Sequence, residues 1–195
     1  TFHKYGGFSR KSIEEHLVEA ARYATSSDGK ARIHFTFSPE HIEGITKLLD
    51  ELVPSYEKEF DVTFEISHSI QDPATDTLAV DMDNKPFRDE NGQILFRPGG
   101  HGALISNLDK LKSPDLIFIK NIDNIVPDRL KDETITYKKL IGAYLLQLQD
   151  KTFNYLYQLK NNDLTENIIQ EVSGFVENEL LLTLPKHFRY LSAGE

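Results

Sequence analysis

Apolar residues near the start of the chain fall first at helical spacing and then at strand spacing. Ile13, Leu17, Ala20, Ala21 and Ala24 recur every three to four positions behind Ser12-x-x-Glu15, which has the form of a capping box, so residues 10–25 are predicted to be an amphipathic helix. Asp28-Gly29 supplies a turn. Ile33, Phe35 and Phe37 alternate through 31–37 as strand residues do, and Ser38-Pro39 offers an N-cap and a first-turn proline to a second helix. Ile42, Ile45, Leu48, Leu49 and Leu52 form the inward stripe of that helix, which Pro54 is expected to end or kink because its ring blocks the preceding turn. Val62, Phe64 and Ile66 alternate again as a strand. Residues 67–77 show no clear period.

Further on, residues 78–80 read as a short strand, and 85–88 and 93–96 as a hairpin around Asp89-Glu90-Asn91-Gly92, since both residues of Asn-Gly tolerate positive φ. A glycine turn at 98–102 opens a helix running to Leu111, and the apolar run 116–122 reads as a strand ending on Asp123-Asn124. From Thr134 to about Lys160 the apolar residues follow a helical stripe through Leu140, Tyr144, Leu148 and Leu156. A second helix, from Leu164 to about Leu182, follows the short turn Asn161-Asn162-Asp163, so the two are expected to pack antiparallel. The order predicts an α/β protein: an open, mostly parallel sheet of Rossmann-like type, with a β-hairpin insertion and a C-terminal helical pair. The expected division is an α/β domain over 1–133 and a helical extension packed on it over 134–195.

Composition narrows the function classes. Twenty-two basic against 31 acidic residues leave a net charge of −9, which argues against a general nucleic-acid binder. No apolar run approaches the roughly 18 residues of a membrane span, and no signal peptide is visible. The chain lacks cysteine, which excludes disulfides, thiolate zinc sites and a Cys-His nucleophile and fits a cytoplasmic location. The histidines show no pair at ligand spacing, and no G-x-S-x-G is present. The only methionine is Met82, so Thr1 is not a translational start, and the chain is expected to be an internal piece of a longer protein.

Two places carry candidate chemistry. Gly99-Gly100-His101-Gly102 is either a tight strand-to-helix connection or a turn whose backbone approaches an anionic ligand at a helix N-terminus, with His101 projecting over it. Asp123 and Asn124 stop a strand at its carboxyl end, where open α/β sheets bind ligands; Asp123 either starts a turn there or holds magnesium beside a phosphate. Lys120 either meets a phosphate or forms a solvated edge. Gln71, Asp72, Thr75 and Asp76 make a polar cluster that either lines a pocket or caps a loop. Asp81-x-Asp83 has a metal-binding or phosphatase-like form, but Lys85 stands where the phosphatase pattern wants Thr or Val, which favours a hairpin start.

The segments F-T-F-S-P, I-S-H-S-I-Q-D-P, D-N-K-P-F-R-D-E-N-G-Q-I-L-F-R-P-G-G-H-G-A-L and F-I-K-N-I-D-N, in that order over residues 31–127, resemble the UDP-sugar pyrophosphorylases. More closely, P-G-G-H-G-A-L with I-K-N-I-D-N-I-V-P-D is similar to an uncharacterised bacterial domain-of-unknown-function family grouped with those enzymes. The resemblance implies a GT-A-like fold, nucleotidyl transfer from UTP or another NTP to a sugar 1-phosphate, release of pyrophosphate, and magnesium. It implies that Gly99, Gly100, His101 and Gly102 form the turn against base and ribose, with Gln71 near base or sugar. Asp123 matches the metal-side, catalytic aspartate, supported on the sugar-phosphate side by Asn124 and Lys120. In-line attack by the sugar phosphate asks the protein mainly for positioning and charge neutralisation. The family's glycine-rich triphosphate loop and its lysine have no counterpart after Thr1, Lys4 does not take that role, and the piece alone is expected to lack full activity. The alternative from another class is a non-catalytic nucleotide-sugar-binding or protein-interaction module.

Overall fold

The computed structural model describes residues 1–112, 114–161, 165–185 and 187–188. It is a mixed α/β protein with five α-helices and three two-stranded sheets among those residues. Contacts divide it into two compact units, Thr1–Lys138 and Lys139–Glu195.

In the first unit, β1 (His3–Lys4) and β2 (Ser9–Arg10) form a small antiparallel ribbon ahead of α1 (Ser12–Tyr23). The helix is capped one residue earlier than the motif suggested: the Glu14 carboxylate accepts the backbone N–H of Lys11 at 2.8 Å. Glu15 is fully buried instead. The core lies where α1 and α2 (Ile42–Phe60) cover one face of the parallel pair β3 (Lys30–Phe37) and β4 (Thr63–Ile70). Leu17 and Ala31 are fully shielded there, beside Phe35, Leu49, Tyr56 and Phe64. A fully buried leucine stabilises by about 1.5–3 kcal/mol. Pro54 does not end α2, which continues six residues beyond it to Phe60. The proline is exposed, so the carbonyl it leaves unpaired meets water, while Tyr56 anchors the following turn in the core.

The parallel pair has one apolar and one polar face. Ala31, Ile33, Phe35 and Phe37 stand opposite Phe64, Ile66, His68 and Ile70, whereas Arg32, His34 and Thr36 stand opposite Glu65, Ser67 and Ser69. Residues 67–70 are therefore strand despite their lack of period: the polar face is satisfied by itself. His34 Nδ1 and Nε2 lie 2.8 and 2.9 Å from the Ser67 and Ser69 hydroxyls, and Arg32 pairs with Glu65 and Asp28. Burial, and to a smaller extent His68, hold His34 below the usual histidine range, so both serines meet a neutral ring at pH 7.

The larger open sheet does not form among the described residues. Residues 116–122, predicted as strand, have no ladder partner among the described residues and are held by side chains. Phe118 meets the Tyr23 ring edge-on, Lys120 donates to Glu19 at 2.6 Å, and His16 Nε2–H donates to the Ile122 carbonyl at 3.1 Å. The hairpin region becomes a three-limbed meander. β5 (Thr77–Leu78) pairs with β6 (Phe96–Arg97), and Ala79, Leu95 and Phe87 close a cycle of backbone hydrogen bonds. Its two turns are built alike: Asp81 Oδ1 accepts the N–H groups of Asp83 and Lys85, and Asp89 Oδ1 those of Asn91 and Gln93, all at 2.9 Å. The Asp81-x-Asp83 acids thus start a turn.

α4 (Asp128–Lys160) begins six residues before its predicted start. Its first turns enter a buried charge network with the N-terminal ribbon and α1. Lys131, fully buried, donates to Glu15 Oε2 at 2.6 Å and to the Val126 carbonyl. Tyr5 and His3 donate to Glu15 Oε1 at 2.6 and 2.9 Å, while Arg10 pairs with Asp128 at 2.6 Å. Burial pushes the Glu15 carboxyl up, but the hydrogen bonds from Lys131, Tyr5 and His3 outweigh it and hold the group below the usual 4.5. A depressed folded value means that this stabilisation is complete above the unfolded value and is lost as pH falls through the folded one. We therefore expect the urea midpoint to fall below pH 4.5 more steeply for the wild type than for Glu15→Gln. Equal slopes in that window would contradict the assignment.

The second unit, taken by itself, pairs the later turns of α4 with α5 (Glu166–Asn178), which Thr165 caps by accepting the Ile168 N–H. Lys151 bonds Glu179 and Tyr155 bonds Glu171, so the two helices run antiparallel, with Phe175 buried. α5 ends before the predicted Leu182. The predicted turn residues Asn162 and Asp163 and the predicted helix start at Leu164 lie outside the described residues. No described helix is long and apolar enough to cross a membrane.

Candidate functional site

A cleft of about 250 Å³ opens at the carboxyl ends of β3 and β4, the end at which parallel strands present ligands. Thr36, Phe37 and Ser38 leave β3 along one wall, and Ile70 and Gln71 leave β4 along the next. Pro73 and Asp76 come from the short 3₁₀ turn Pro73–Thr75 and the residue that follows it. Pro98 and Leu104 come from the glycine turn and close the cleft. The parallel β3-α2-β4 unit sets the first two walls, because parallel strands end at the same edge and the segments leaving them start there together.

The glycine turn is locked against the 71–76 segment by contact. A Cβ on Gly99 would lie 2.6 Å from the Thr75 carbonyl oxygen, 2.9 Å from Ala103 Cβ and 3.5 Å from Gln71 Nε2, so only glycine fits. None of Gly99, Gly100 and Gly102 has positive φ, which Gly29 and Gly92 do adopt. Gly100 and Gly102 face open space. Beyond the turn the chain makes a 3₁₀ turn, His101–Leu104, and then α3 (Ile105–Asp109) of only five residues. The expected helix to Leu111 is thus too short to concentrate a dipole on an anion. Asn107 ties α3 to the end of β4: its Nδ2 donates to Ser69 Oγ at 2.8 Å and to the Ile70 carbonyl at 3.0 Å, and the residue is 3% exposed. The cleft walls are therefore fixed from behind by a buried amide.

The residues singled out by sequence separate into two groups. Gln71 lines the cleft and packs beside Gly99, which, like Gly100, His101 and Gly102, is not among the lining residues; Gln71 Nε2 donates to Thr75 Oγ1 at 3.1 Å, leaving the second N–H and the amide oxygen. His101 is exposed on the 3₁₀ turn next to it. Lys120, Asp123 and Asn124 do not line the cleft. Lys120 is half-buried against Glu19; Asp123 and Asn124 are exposed in a turn closed by Asn124 N–H on the Asn121 carbonyl at 3.1 Å, which His16 steadies from α1. Among the described residues no three histidine or acidic side chains converge as metal ligands. Asp123 brings a single exposed carboxylate, so the described residues around it do not by themselves make a resident magnesium centre.

Some cleft residues were accessible to sequence reasoning. Asp76 and Thr75 belong to the polar cluster noted after the second strand, and Ser38 follows a strand end. Asn107 and the Glu15–Lys131 pair carry no local signal, because their partners lie 37 and 116 positions away.

A family model described as a domain of unknown function, DUF4301, matches residues 1–195. No curated protein and no solved structure matches the chain.

Proposed function

The chain belongs to the DUF4301 family; from the motifs that resemble the UDP-sugar pyrophosphorylases we propose that its cleft is the nucleoside-recognising part of a nucleotidyltransferase that moves a nucleotidyl group from an NTP, UTP by resemblance, to a sugar 1-phosphate. One observation carries the reading. Gln71, which the resemblance to the UDP-sugar pyrophosphorylases selects for nucleotide contact, lines the cleft at the carboxyl end of a parallel pair, and Gly99 of the glycine turn packs behind it, 28 positions away in sequence. The wall chemistry suits a nucleoside: Phe37 and Ile70 offer apolar surface, Gln71 an amide, and Ser38 a hydroxyl. The work assigned to these residues is binding and orientation, by holding the nucleoside while the phosphates project out of the cleft. Asp123 and Asn124 remain the family-matched residues on the phosphate side.

A second reading, a binding module without catalysis, is favoured by the absence of basic residues from the lining and by the pairing of Lys120 with Glu19. The two readings share the cleft and differ in turnover. Titration calorimetry with uridine, adenosine, guanosine and cytidine tests what they share: uridine is expected to bind, and Gln71→Leu to weaken it at least tenfold. No heat with any of the four would remove the reading. Pyrophosphate release from UTP with magnesium and a panel of sugar 1-phosphates then separates the two, since a binding module releases none.

A further inference from the structure

The cleft is lined by charge that is all acceptor. Its one charged side chain is Asp76, half-buried, whose carboxylate has no side-chain or backbone partner among the described residues. Gln71 uses one of its two N–H groups on Thr75 and keeps the other with its carbonyl oxygen, and the Thr36 hydroxyl lies 3.3 Å from that of Ser69. No lysine, arginine or histidine lines the space. An ionised carboxylate only accepts, so the group that sits beside it must bring donors. A phosphate brings none and carries like charge. The N3–H of a uracil is flanked by two carbonyl oxygens, which a carboxylate would also repel. Two neighbouring hydroxyls satisfy the two oxygens of one carboxylate at once, and a desolvated carboxylate left without donors would be costly.

We infer that Asp76 is the specificity-determining residue of the cleft and that it selects a vicinal diol, from a ribose or a hexose, while turning phosphate away. This rests on the nucleoside reading above and places the sugar ring of the ligand, with its base against Phe37 and its phosphates outside. The Asp76 side chain bonds no described residue, so Asp76→Asn should keep the wild-type urea midpoint.

The test is a calorimetric comparison of uridine, 2′,3′-dideoxyuridine, UTP and methyl α-D-glucopyranoside on the wild-type chain and on Asp76→Asn. The wild type is expected to bind uridine at least tenfold more tightly than the dideoxy analogue, and UTP no more tightly than uridine. In Asp76→Asn, uridine should weaken at least tenfold, while the ratio of UTP to uridine affinity rises. Binding of the glucoside that is lost in Asp76→Asn assigns the diol to a hexose; loss confined to uridine assigns it to the ribose. Uridine and dideoxyuridine binding alike, with Asp76→Asn indifferent, would overturn the role of Asp76 and leave the nucleoside cleft standing. No binding of uridine or glucoside by the wild type would overturn the cleft reading itself.

Discussion

Lys131→Met is expected to destabilise the first unit by about 3–5 kcal/mol, the range for removing one partner of a buried ion pair. Lys131 and Glu15 are both fully shielded, and their 2.6 Å contact joins α1 to the first turn of α4 across 116 positions. Without the ammonium, Glu15 keeps only Tyr5, His3 and a distant Arg10 at 3.5 Å, the last already committed to Asp128. The loss comes from the stranded carboxylate more than from the missing attraction. The double variant Glu15→Gln, Lys131→Met should therefore recover much of the stability, because neither side chain is then charged. Urea denaturation of the four proteins of this cycle measures the coupling. Additive single effects would show that the pair is not a unit.

The second large effect concerns binding. Gly99→Ala is expected to lower uridine affinity at least tenfold, about 1.4 kcal/mol. Its Cβ would stand 2.6 Å from a backbone oxygen and 2.9 Å from Ala103 Cβ, so either the 73–75 turn or the 101–104 turn must move, and both turns carry cleft residues. Gly100→Ala and Gly102→Ala provide the contrast, because an added Cβ at either position meets nothing within 4 Å. Both should bind like the wild type if the glycines serve the cleft by packing. Equal losses at all three positions would instead point to direct backbone contact with ligand along the whole turn.

Local patterns made much of the first unit readable. The stripe from Ile13 to Ala24 and the alternation around Phe35 found α1 and β3 because each element covers a core with its own period. Two misreadings have one cause: a long-range partner overrides the local pattern. Glu15 looked like a cap and is the buried partner of Lys131; Ser67 and Ser69 broke the strand period and are strand because His34 and Asn107 satisfy them. The run 116–122 failed in the opposite direction. Its residues have strand composition, but a strand needs a ladder, and no described segment supplies one. Pro54 misled because its cost depends on whether the freed carbonyl is buried, which the sequence does not state.

At the site, Gln71 and the glycine turn were legible as motifs, whereas the reason for Gly99 was not. The turn suggested a tight strand-to-helix connection or an anion-binding helix end; the structure adds a steric contact with Thr75 that only glycine allows at position 99. The charge character of the cleft was hidden too, because it depends on Asp76 standing without a partner among the described residues.

The most direct test of the nucleoside cleft is a residue-resolved titration of the ¹⁵N-labelled chain with uridine. The account predicts progressive amide shifts at Phe37, Ser38, Gln71, Asp76, Gly99 and Leu104, with Asn124 and the residues of α5 unmoved. Saturating shifts centred on the Asp123 turn, or no shifts at millimolar uridine, would contradict it.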